Sequence, residues 1–172
     1  MMRFAGQLGW KMTVINRPDW RGFLAGAAFP LLGAMFLYAV MLATGVGLHS
    51  PAFSQLPFDP TGRFSAIIWI ALFSFYGVTR WAALRHGDRG QSCVHLVEAL
   101  MVWAVVYTFI SGYFSDFWFD VLNVVSLCFG MFVASRLVRL SRFVVAWLVP
   151  TFLWKVLAVA LSLGPVIGIS FF

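Results

Sequence analysis

Residues 143–164, FVVAWLVPTFLWKVLAVALSLG, form an almost unbroken apolar run. At 1.5 Å per residue a helix of that length reaches about 33 Å, enough to cross a bilayer core of about 30 Å. One formally charged side chain, Lys155, stands near its middle. A cation at that depth costs roughly 2.5–3.5 kcal/mol on insertion scales, so it needs a partner, a water-filled cavity or an escape route. Four further apolar runs precede this one. The expected fold is all-α: a polytopic membrane helix bundle of five transmembrane spans behind an N-terminal interfacial amphipathic helix.

Composition agrees with that expectation. Of 172 residues, 62% are hydrophobic, 18% aromatic and only 10% charged, where a soluble domain carries about 25% charge. Mean hydropathy is +0.90. Spans and connectors occupy nearly the whole length, so a single membrane domain over 1–172 is expected, with no separate soluble catalytic domain.

A net charge of +6 raises the question of nucleic acid, because basic patches bind phosphate. The distribution answers it. Arg3, Lys11, Arg17 and Arg21 precede the first span. Arg80, Arg85 and Arg89 join the second to the third, and Arg136, Arg139 and Arg142 join the fourth to the fifth. Arg63 alone marks the other side. This is the asymmetry that orients a membrane protein, so no nucleic-acid partner is expected. The N-terminus is then cytoplasmic and, after five spans, the C-terminus lies on the opposite face, in a bacterial inner membrane. Cys93 and Cys128 have neither disulfide nor metal spacing and read as free thiols.

Along the chain, residues 1–22 are too long and too mixed for a signal-peptide n-region. Phe4, Leu8, Met12 and Ile15 recur at helical spacing opposite Arg3, Gln7 and Lys11, the pattern of a helix lying in the membrane interface. Asn16, Arg17, Pro18 and Asp19 read as a helix start. Spans are expected at about 23–47, 64–84, 93–112, 117–138 and 143–167. The first contains Gly22, Gly26, Pro30 and Gly33, and the last ends near Gly164 and Gly168. These glycines are the candidate helix-packing positions. The connector from His49 to Arg63 has three prolines, whereas the HGDRGQS connector after the second span is short. A tight aromatic corner runs from Tyr113 to Asp120.

The intramembrane charged residues Lys155, Glu98 and Asp120 are the candidates for chemistry. Paired acid and base groups inside a bundle make an ion or proton pathway. A structural pair, or a lysine reaching a lipid headgroup, is the plainer alternative. Pro150, five residues before Lys155, is a candidate break of the kind transporters place beside their sites. His86 and His95 lie near the basic surface, but their placement and the lack of a C-x-x-C-H motif argue against haem. Arg136, Arg139 and Arg142 have every-third spacing but sit at the end of a span, as topology anchors that contact anionic headgroups. No hydrolase, zincin or phosphate-loop signature is present, so neither a catalytic set, a metal nor a cofactor is expected.

In layout the chain resembles bacterial Yip1-domain membrane proteins. The shared features are the interfacial N-terminal segment, Ala27-Ala28-Phe29-Pro30 in the first span, five spans with the N-terminus inside, and the Arg80–Gln91 connector. It departs from them in having no proline between Val94 and Gly112. The resemblance implies a non-enzymatic protein of membrane organisation and transfers no functional residues. Two readings follow. The favoured one is an accessory or scaffolding subunit of a larger membrane complex, touching lipids and other integral subunits or itself. The alternative is a small ion, proton or solute transporter built on Lys155 and Glu98.

Overall fold

The computed structural model describes residues 14–45, 63–111 and 113–163. A 3-10 turn at Val14–Asn16 leads into α1 (Trp20–Thr44), followed by α2 (Arg63–Leu84), α3 (Gly87–Ser111), α4 (Asp116–Leu140), the short α5 (Arg142–Ala146) and α6 (Val149–Leu163). Helices α1 to α4 are each long and apolar enough to cross a membrane. No strand occurs among the described residues.

Connectivity sets the architecture. α2, α3, α4 and α6 form a ring, each packed on the next, with α5 wedged between α4 and α2. α1 lies outside the ring against α2. Only 11% of the most apolar stretch of α1 is buried, against 44% for α2, so α2 is the central helix and α1 the rim.

The start of α1 follows the local chemistry. Asp19 is extended and accepts a hydrogen bond from the Gly22 amide at 2.9 Å, satisfying a donor that the first turn leaves free. Pro18 lies just before this cap. The amphipathic segment expected over 1–22 falls mostly on residues 1–13, outside those described, and its last part is turn and α1 instead.

α1 meets α2 at two glycines. A Cβ added at Gly77 would land on the Gly26 carbonyl oxygen and 2.8 Å from Pro30 Cγ. Small residues at a crossing let backbones approach where lipid offers no hydrophobic push. Gly22 is covered by the Arg17 carbonyl of the entering segment. Gly33 faces outward, with nothing within 4 Å of a Cβ position. Gly164 and Gly168 lie outside the described residues, as does nearly all of the connector after α1.

Two boundaries differ from expectation. The HGDRGQS stretch is not a loop, because α3 begins at Gly87 and is six residues longer at its start than the expected span. Gly87 adopts φ +60, which lets the chain reverse within two residues. Gly90 then sits against the Ala83 carbonyl, a contact no side chain fits. The second difference is the apolar run after Ser141. It is not one helix: α5 ends at Ala146, Trp147 and Leu148 form a turn, and α6 starts at Val149. Pro150 has no N–H for the Ala146 carbonyl and its ring crowds that carbonyl, so the helix breaks just before it. The aromatic corner is shorter than expected, since α4 begins at Asp116.

The core changes character along the bundle. At the end where the basic residues gather, Val94, Val97, Leu100, Val133, Leu137 and Leu148 are almost wholly buried and close the ring with apolar side chains. Further along, Ser111, Asn123, Ser126 and Thr151 are buried polar residues.

Candidate functional site

The polar interior is a cavity of about 70 Å³ lined by α2, α3, α4 and α6. Tyr76, Tyr107, Asn123, Ser126, Thr151 and Lys155 supply its polar groups, and Trp69 and Trp154 are among its aromatic walls. Each residue arrives by helical register. Trp103 and Tyr107 stand one turn apart on α3 and face Ser126 and Asn123 on α4. Trp103 Nε1 donates to Ser126 Oγ at 2.7 Å, and the Tyr107 hydroxyl donates to Asn123 Oδ1 at 2.6 Å. Tyr76 hydrogen bonds with Thr151 across α2 and α6. Thr151 Oγ1 in turn donates to the Leu148 carbonyl at 2.6 Å, beside the break.

Lys155 reaches this cavity along a groove made by Gly130. A Cβ at Gly130 would stand 3.9 Å from Lys155 Cδ and 3.4 Å from Phe152. No carboxylate lies within ion-pair distance of Lys155 among the described residues. Asp120 is half-buried near Tyr107 and does not pair with the lysine.

Glu98 is engaged elsewhere. It accepts from Arg80 Nε at 2.7 Å and lies 3.3 Å from His95 Nδ1, at the basic end of the bundle. The Lys155–Glu98 pairing that the transporter reading relied on is therefore not formed. Arg80 Nη1 also donates to Asn16 Oδ1 at 3.0 Å. Beside it Trp81 Nε1 donates to the Arg17 carbonyl at 2.9 Å, and Arg85 donates to the Pro18 carbonyl while lying 3.9 Å over the Trp81 ring. These contacts strap residues 16–18 onto the end of α2.

The remaining candidates stay apart. Arg136 and Arg139 are exposed at the end of α4, with Arg136 5.1 Å over the Phe132 ring, and Arg142 opens α5. His86 and His95 are both exposed. No group of three or more His, Cys, Asp or Glu side chains is placed to hold a metal among the described residues. Cys93 is buried, Cys128 is exposed, and both are free.

Sequence reasoning found Lys155 but not its neighbours. Tyr76, Tyr107, Asn123, Ser126 and Thr151 were visible only as polar residues inside apolar runs, and Asn123 with Ser126, three apart on one helix face, was the strongest such signal.

The fold is that of a multi-pass α-helical membrane protein, with a polar, singly cationic cavity among its helices. No family model matches the chain, and no curated protein or solved structure matches it.

Proposed function

We propose that this chain is a non-enzymatic protein of a bacterial inner membrane, serving as an accessory or scaffolding subunit of a larger membrane assembly. The observation that supports this most is the exposed face of α1. The helix packs on α2 along one face, from Gly22 to Met41, and it turns Leu24, Phe29, Leu32, Met35, Phe36 and Leu42 outward. Ala28, Gly33, Ala39 and Ala43 are exposed among them. Small residues beside bulky ones are the composition by which membrane helices pack on each other, where a purely lipid-facing surface has no need of small residues. The layout likeness to Yip1-domain proteins points the same way.

In this reading the basic end is cytoplasmic, by the positive-inside rule. α5 and α6 are read as part of a fifth, broken crossing. The N-terminus is then inside and the C-terminus outside. Gentle capture from native membranes, with composition read by native mass spectrometry, tests the proposal. Partners in fixed stoichiometry are expected; recovery alone or as a homo-oligomer contradicts it.

The cavity supports a second reading, a small ion or solute carrier. Its working residue is then Lys155 without Glu98. Lys155→Leu abolishes flux in that reading and leaves only assembly affected in the first.

A further inference from the structure

We infer that the cavity at Lys155 is a binding site for a small, singly charged anion taken from solution. Nothing in the subunit reading requires this site, and its failure would leave that reading standing.

Three observations converge on it. The first is charge. Lys155 lines a cavity inside a helix bundle, the lining holds no carboxylate, and no described acidic group is paired with the lysine. Burying a charge without a counter-charge is expensive, and a bound anion removes that cost at its source.

The second is hydrogen-bond direction. Tyr107 spends its hydrogen on Asn123, and Thr151 spends its own on the Leu148 carbonyl. The Ser126 oxygen, by contrast, accepts from Trp103, which leaves the Ser126 hydrogen to donate. The lining thus offers an ammonium and a hydroxyl hydrogen to a ligand and presents no acidic side chain. A donor set of that kind favours an anion over a cation.

The third is space. A water occupies about 10–15 Å³ on the same measure, so about 70 Å³ admits several waters or one small anion such as a halide or formate. Leu100, Leu137, Leu148 and Val133 close the ring toward the basic end. The stem of Lys155 is held against Gly130 and Phe152 on its way to the cavity.

Trp69 and Trp154 line the cavity, so iodide provides a direct probe. The whole chain is placed in nanodiscs of zwitterionic phosphatidylcholine, and tryptophan fluorescence is followed during iodide titration at constant ionic strength. A saturable quenching component is expected, displaced by chloride and by formate. Lys155→Met removes that component, and Ser126→Ala shifts its midpoint by about tenfold, as for one lost hydrogen bond to a charged group. Purely linear quenching of the wild type overturns the inference. So does a saturable component that survives in folded Lys155→Met, or one that chloride and formate leave unchanged. Should Lys155→Met fail to fold, the wild-type competition and the Ser126→Ala shift decide. A saturable component seen only after anionic lipid is removed from the preparation assigns the site to a lipid headgroup and overturns the free-anion assignment.

Discussion

Arg80, near the end of α2, and Glu98, midway along α3, are joined by a hydrogen-bonded ion pair of 2.7 Å, and the same guanidinium holds Asn16 of the entering segment. The two side chains are 20% and 38% exposed, so water screens the pair and its net contribution is small. Glu98→Gln is expected to cost no more than about 1 kcal/mol in global stability. Arg80→Ala removes both contacts and frees residues 14–19. Amide hydrogen exchange over that segment should rise markedly in Arg80→Ala and little in Glu98→Gln.

The Gly26–Gly77 crossing carries a sharper expectation. Any side chain at Gly77 meets the Gly26 backbone, which cannot give way as a flexible side chain does. Gly77→Val should therefore displace α1 and lower the thermal midpoint in detergent. Gly33→Ala meets nothing and trades glycine for a better helix former, for a change between neutral and a gain of about 1 kcal/mol. Equal losses for the two variants would refute this account of the seam.

Asp19 caps α1 through the Gly22 amide. Asp19→Ala should cost about 1 kcal/mol, while Asp19→Ser keeps most of the cap. The effect is local, and faster exchange at the amides of residues 20–23 is its signature.

The α3–α4 polar contacts lie inside the bundle, where such bonds average about 0.6 kcal/mol in double-mutant cycles and reach about 1.7 kcal/mol. A cycle of Tyr107→Phe with Asn123→Ala should return a coupling in that range. A coupling of zero would mean that the two groups do not meet in the membrane.

How much of this was legible beforehand depended on whether the cause was local. Membrane character and the gathering of arginines at one end follow from composition and order alone. The helix start at Asp19 follows from a side chain acting on its own next turn. The start of α3 was obscured because Gly87 and Gly90 look like loop residues, and only their positions against Ala83 and the tight reversal show why glycine is needed there. Apolarity hid the break at Trp147, although Pro150 marked it. The partner of Glu98 is set by how α2 and α3 pack, which no spacing along the chain encodes. The cavity has the same origin, since its wall comes from four helices.

The central claim, that the outward face of α1 meets another protein, is tested most directly by site-specific photocrosslinking in native membranes. A photoreactive residue replaces Phe36, which is 69% exposed on α1, and in a separate variant Met131, which is 59% exposed on α4. The account predicts a discrete protein adduct of one mass from position 36, with a lipid-dominated pattern from position 131. Lipid adducts alone from position 36, matching those from position 131, would contradict it.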